Sequence, residues 1–308
     1  MAQNRTKLWV GLGAFVFAAG GSAPAGAATL DASTAHTPGD PAAGIQLASA
    51  GGEGGEGGER GEAGPLASLS DSQTYLAQLM LMKGHLRVGR ELFDAGEHKD
   101  AAVHFRHPVA EIYASVEPML ETRSTAGFKG ALQELRALVE AGDGDRVPVA
   151  YETVMRRIDG AADAIPRAYR NDPSFVVPVA VAMLQQAAAE YDAAVKDGRM
   201  VNVAEYQDSR GFVWTARDLV GSVASGLYTA DADDLGDVTA DFNALMAAWP
   251  SAMPPHQPAM TPSEVKGAVS ALELELTGFV ARSYGTSDGG EGGEGGEGGE
   301  GGEGGEGG

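Results

Sequence analysis

Apolar residues recur at three- and four-residue intervals over most of residues 66–284, the spacing of helices buried along one face. Strictly alternating runs, the mark of half-buried strands, are nearly absent. The punctuation between segments is that of helix ends. Ser70 followed by Gln73 has the form of a capping box and opens a periodic segment over 70–95, stopped by Gly96. A second helix starts near Lys99, with Pro108 and Pro118 expected to interrupt or kink it. A third covers 128–141 and ends at Gly142; Pro148 then sits where a first-turn proline belongs, opening a fourth that continues toward Tyr169. Asp172-Pro173 opens a fifth, running to about Lys196 before Gly198. Asn202 with Glu205 opens a sixth to about Ser225, and a shorter seventh covers 235–248. A loop with Pro250, Pro254, Pro255 and Pro258 follows, and Thr261-Pro262-Ser263-Glu264 opens the last helix, which ends near Tyr284. About eight helices with short connections predict an all-α fold, an antiparallel helical bundle or two packed bundles.

The ends of the chain read differently. Arg5 and Lys7 precede an apolar run over 8–19, and Ala25-Gly26-Ala27 supplies a small-x-small cleavage pattern, so 1–27 is expected to be a signal peptide. The run is too short for a membrane span, which takes about 20 residues. Residues 28–65 are rich in Gly, Ala, Pro and Ser and end in Gly-Gly-Glu triplets, which return over 289–308. Such segments bury too little apolar surface to offset their chain entropy. The expected organisation is therefore a signal peptide (1–27), a disordered Gly/Glu-rich linker (28–65), a helical domain (66–284) and a disordered Gly-Gly-Glu tail (285–308). The tails read as solubilising linkers, or as a tether or weak cation sponge, and lack the fixed ligand positions of a calcium loop.

Charge and cysteine content narrow the classes. The chain has 22 Lys+Arg against 43 Asp+Glu, a formal charge of -21, which disfavours nucleic acid and anionic lipid as partners. With no cysteine there is no lipoprotein anchor, disulfide or thiolate site, and an exported chain of this kind points to the periplasm. No nucleophile elbow, His-Glu-x-x-His or phosphate loop occurs, and the expectation is that the protein is not an enzyme. Glu-x-x-His is absent too, which removes a ferritin-like di-iron centre.

Four of the six histidines fall within 84–108, in one predicted helical hairpin. His104, His107 and Glu111 stand at i, i+3 and i+7, on one face of a continuous helix. A turn near Gly96 or Glu97 brings His85 opposite Pro108, beside His107 and Glu111. His85, His104, His107 and Glu111 are therefore candidate ligands for a transition metal ion, Fe, Cu or Zn, with Met80 and Met82 close enough in sequence to add thioethers for Cu(I). Against this, Pro108 directly follows His107 and could turn Glu111 off that face. His36 and His256 lie in loop-like sequence, and His98 beside the turn reads as a solvent or capping group.

The second half holds Glu190-Tyr191-Asp192-Ala193-Ala194-Val195-Lys196-Asp197-Gly198-Arg199-Met200-Val201-Asn202, continuing through Glu205-Tyr206-Gln207-Asp208 to Gly211-Phe212-Val213. This stretch of about 25 residues resembles the extracytoplasmic helical domain associated with bacterial high-affinity iron permeases, where an acidic-Tyr-x-x-Ala-Val-x-x-Gly turn leads into Glu-Tyr-x-(Glu/Asp). The permeases' membrane helices have no counterpart here, so the resemblance implies a separate soluble relative with a periplasmic part in acquiring iron or another metal. By their own chemistry, Tyr191, Tyr206 and Phe212 read as packing residues and Glu205 as a helix cap. Glu190, Asp192 and Asp208 are an alternative oxygen-ligand set for a hard cation.

Two functional expectations result. One is an exported, soluble metal-binding protein accessory to periplasmic uptake of iron or another transition metal, with a membrane metal permease or other periplasmic protein as partner. The other is a periplasmic helical scaffold or protein-interaction module whose histidines are structural.

Overall fold

Local capping fixes where the helices begin. In the computed structural model, which describes residues 64–224 and 232–284, Ser70 and Gln73 form the expected reciprocal capping box at the start of α1, Asp71–Asp94. Thr261 and Glu264 do the same for the last helix, with Thr261 N–H donating to Glu264 Oε2 at 2.7 Å and Glu264 N–H to Thr261 Oγ1 at 3.2 Å. Between them lie α2 (His98–His107), α3 (Tyr113–Thr122), α4 (Lys129–Glu140), α5 (Val147–Ala162), α6 (Arg167–Arg170), α7 (Pro173–Ala194), α8 (Val203–Ser222) and α9 (Ala232–Met246). The last helix, α10, is Pro262–Tyr284. The expected all-α helical bundle is the observed class, with ten α-helices among the described residues. The expected signal segment, residues 28–63 of the linker and the whole of the 285–308 tail lie outside those residues, and no helix among the described residues is long and apolar enough to cross a membrane.

Pro108 interrupts the second α-helix, as expected, by starting a π-turn, Pro108–Ile112, in which the Tyr113 N–H reaches Pro108 O five residues back. Three boundaries differ from the sequence reading. Helix α3 continues through Pro118. Helix α5 stops at Ala162 rather than running to Tyr169, because Pro166 resets the backbone before the one-turn α6. Helix α7 ends at Ala194, and Val195–Lys196 pairs antiparallel with Arg199–Met200. Asp197 and Gly198 both take positive φ (51° and 70°), the conformation an Asp-Gly pair favours in a two-residue hairpin turn.

The core is continuous, and polar tips on its aromatic residues tie the helices together. Tyr75 on α1 donates to Ala161 O on α5 at 2.9 Å. Tyr191 and Tyr206 anchor the proline-rich loop through Met260 O (2.8 Å) and Ser251 O (2.9 Å), and both are fully buried, as the packing reading expected. Phe212 is likewise buried.

Helices α1 and α8 cross at close range. A Cβ on Gly211 would stand 2.3 Å from the Gly84 carbonyl oxygen, and one on Gly84 would stand 2.6 Å from Phe212 Cδ1. Only two glycines fit here. Gly211→Ala should therefore destabilise the fold by about 1–3 kcal/mol through overpacking. Gly160→Ala, with nothing within 4 Å of the new methyl, should instead stabilise it by about 0.5–1 kcal/mol. Urea unfolding followed by far-UV circular dichroism separates the two, and similar small effects at both positions would contradict the close crossing.

Candidate metal centre

The glycine crossing puts His85 on α1 one residue after Gly84 and Asp208 on α8 three residues before Gly211, on opposing surfaces of the same contact. Asp208 is 2 % exposed and its carboxylate is surrounded by imidazoles. His85 Nδ1 lies 2.5 Å from Asp208 Oδ1, and His104 Nδ1, from α2, lies 2.7 Å from the same oxygen. His107 Nδ1 is 3.4 Å from Asp208 Oδ2. The rings of His85 and His107 meet edge to face at 5.2 Å, and Phe212 closes the other edge of His85 at 4.9 Å.

The predicted hairpin thus brings three of the four candidate ligands together. His85, His104 and Asp208 each offer a donor atom within 4.8 Å of the others, and all three are buried. His107 stands at the rim, 17 % exposed. Glu111 lies behind it, 3.9 Å from His107 Nε2, so the ring of His107 stands between Glu111 and Asp208. The π-turn after Pro108 thus leaves Glu111 beside His107 instead of adding it to the buried set. Met80 and Met82 are packed in the apolar core, and the thioether linked to this cluster is that of Met253, through Gln207.

Asp208 was legible only as a member of a different set. Its grouping with Glu190 and Asp192 is half right: Glu190 is buried nearby, whereas Asp192 is 41 % exposed and pairs with Lys266 Nζ at 3.3 Å. Two residues along a helix is about 200° of rotation, so both cannot face inward. Gln207 was not anticipated at all. Its Oε1 lies 2.8 Å from His104 Nε2 while its Nε2 reaches Met253 Sδ at 3.5 Å.

That pairing constrains the protons. Gln207 Oε1 only accepts, so His104 Nε2 carries a hydrogen. A neutral His104 then presents the Nδ1 lone pair to Asp208 Oδ1 at 2.7 Å, which is tolerable only with positive charge between them. That charge is a second proton or a metal cation. Burial by itself would raise the Asp208 carboxyl, but the charges of His85 and His104, with hydrogen bonds from His104 and His107, outweigh it and hold the group well below 3.8.

Below the crossing, Arg210 binds Glu91 of α1 through two hydrogen bonds of 3.0 and 2.9 Å and donates to Trp249 O, while its guanidinium lies 4.1 Å over the Trp214 ring. Trp249 Nε1 donates to Ser209 Oγ at 2.7 Å. These contacts clamp α8 to α1 and to the segment after α9 immediately beside Asp208. At the head of α8, Asn202 caps through Ala204 N–H, while Glu205 accepts from Asn202 Nδ2 and hydrogen-bonds Glu190. Glu205 is thus more than a helix cap.

The half of the centre carried by α8 lies in a segment with a known relative. Residues 166–283 match the iron permease-associated 4-helix bundle domain. Helices α7, α8, α9 and α10 are the four long helices of that segment. The likeness read over residues 190–213 falls inside the permease-associated bundle, as do Gln207 and Asp208, whereas His85, His104 and His107 belong to the helices that precede it. Neither a curated protein nor a solved structure matches the chain.

The buried acids give the stability a defined pH dependence. Burial, then the hydrogen bond and charge of Glu205 and the charge of Asp208, push the Glu190 carboxyl from 4.5 up to about 10. The folded state therefore keeps a proton that the unfolded chain releases above 4.5, and stability falls as pH rises toward 10. Asp208 has the opposite sign: its contribution is in place above 3.8 and is lost as pH falls below that value. Between pH 5 and pH 9, wild type should lose more unfolding free energy than Glu190→Gln, and parallel losses would contradict a protonated Glu190.

Proposed function

We propose that this chain is an exported metal-binding accessory of transition-metal uptake, iron above all, which holds one ion between His85, His104 and Asp208 with His107 at the rim. The observation that carries the reading is the donor set itself. Two imidazoles and a carboxylate converge in a buried, water-poor place, and Gln207 accepts from the far nitrogen of His104. A ligating histidine typically donates its other ring N–H to such an outer partner, which fixes the ring and its tautomer.

Two histidines and one carboxylate with remaining positions open is a donor set suited to Fe(II), and also to Zn(II). First-row ions sit about 2.0–2.2 Å from such donors, so loading moves Asp208 away from the two Nδ1 atoms by roughly half an ångström. Glu111 then serves as an outer acceptor for His107 rather than a ligand. The family match supports the iron assignment and a membrane iron permease as partner, because the matched domain is described as permease-associated. The leader pattern over 1–27 supports a periplasmic location.

The rival reading is a helical scaffold with structural histidines. It is favoured by the contacts of 2.5 and 2.7 Å, which suit hydrogen bonds as they stand. Metal content decides between the two. The protein purified without chelator and then titrated with Fe(II) under anaerobic conditions, or with Zn(II), should bind close to one equivalent. Asp208→Asn and His104→Gln should abolish it while retaining the helical far-UV spectrum. Gln207→Leu should weaken affinity by about 10–100-fold. Binding unchanged in all three variants, or absent from the wild type, would leave the scaffold.

A further inference from the structure

A buried donor set needs a way in, and the side chains around the histidine centre are graded in exposure. His104 is fully buried and Asp208 is 2 % exposed, whereas His107 is 17 % and Glu111 29 % exposed. Three other sides are filled. Phe212 packs on one edge of His85, and the Gly84–Gly211 backbone contact lies beside it. Toward Met253, the buried Gln207 amide is engaged at both ends between that thioether and His104. His107 is therefore the member of the cluster that meets solvent most.

Each nitrogen of His107 faces a different carboxylate. Nδ1 lies 3.4 Å from Asp208 Oδ2, and Nε2 lies 3.9 Å from Glu111 Oε1. Asp208 in turn offers Oδ2 to His107 and Oδ1 to the buried pair, His85 and His104. Glu111, His107 and Asp208 thus form a file of alternating oxygen and nitrogen donors that leads inward. The spacing suits transfer. A first-row ion sits about 2.0–2.2 Å from each donor, so donors up to roughly 4 Å apart can hold it jointly, and it gains the next ligand before losing the last. Rotation about the side-chain bonds of His107 carries a ligating nitrogen from one carboxylate toward the other. The π-turn, a feature frequent at functional sites, lies between His107 and Glu111 and sets where the second stands against the first.

We propose that Glu111 and His107 are the entry path of the histidine centre, capturing a hydrated divalent ion at the rim and passing it to Asp208. The proposal rests on the reading of His85, His104 and Asp208 as the set that holds the ion. It gives Glu111 and His107 a kinetic role: loading and release both run through them. Closing a path slows both directions together, because the barrier rises while the two end states stay where they are. Removing a holding ligand does the opposite to release, which becomes faster as affinity falls.

The test is stopped-flow loading of the chelator-stripped, full-length chain with Zn(II), followed by release into excess EDTA. Working in about 1 M salt, where the screening length is about 3 Å, removes the long-range attraction of surface charge from the comparison. His107→Leu and Glu111→Gln should each slow loading and release at least tenfold, with affinity changing far less than either rate. His107→Gln repeats the measurement if the leucine disturbs folding. Asp192→Asn removes the same charge elsewhere on the surface and should leave both rates unchanged. Wild-type rates in the His107 and Glu111 variants would overturn the path. So would faster release with weakened affinity, which would make His107 a holding ligand. Failure of the histidine centre itself is read separately, as no Zn(II) bound by wild type or full binding kept by Asp208→Asn, and it would remove the path with it.

Discussion

The contact between Gly84 and Gly211 is the constraint on which the rest depends. With no side chain on either residue, α1 and α8 approach until the backbone of one almost touches that of the other. At that separation His85 and Asp208 are within 2.5 Å, and the hairpin partner α2 delivers His104 to the same carboxylate oxygen. Any larger residue at the crossing would spread the helices and pull the donors apart. Gly89 repeats the device one and a half turns further along α1, where an added Cβ would meet Phe105 and His104 at 3.0–3.2 Å. Packing and site are thus one feature: the absence of side chains in the core makes the polar cluster possible.

A cluster of this kind is costly unless its charges are answered. A buried carboxylate without partners is disfavoured by several kcal/mol, and Asp208 is held ionised only by the positive charge gathered around it. The adjoining Arg210–Glu91 pair, roofed by Trp214 and bonded to Trp249, is answered in the same manner and holds the two helices in register. Glu190 resolves its own burial by keeping its proton. Three different solutions to buried charge lie along helices α7 and α8.

Much of the fold was legible because helix punctuation is local. Ser70 with Gln73, Thr261 with Glu264, and Asp172 before Pro173 each act within one turn, and each capped the helix expected of it. The misreadings were also local. Pro118 lies inside a continuous helix where an interruption is expected, and Asp197-Gly198 closes a two-residue hairpin where a helix stop is expected. The site was half legible. Clustering of His85, His104 and His107 in one hairpin is a short-range fact, and hairpin geometry suffices to bring them together. Asp208 lies 123 positions from His85, and nothing in either neighbourhood announces the other. A glycine adjacent to His85 and another three residues from Asp208 were the available hint, but pairing them takes knowledge of which helices cross.

The most direct test of the central claim is anomalous diffraction at the zinc or iron absorption edge from crystals grown with that metal. A strong peak is expected in the buried space between His85, His104 and Asp208, about 2.0–2.2 Å from each donor, with Gln207 still accepting from His104. An empty centre in which Asp208 keeps its short contacts to both imidazoles, with metal absent or bound only at surface carboxylates, would contradict it and make the histidines structural.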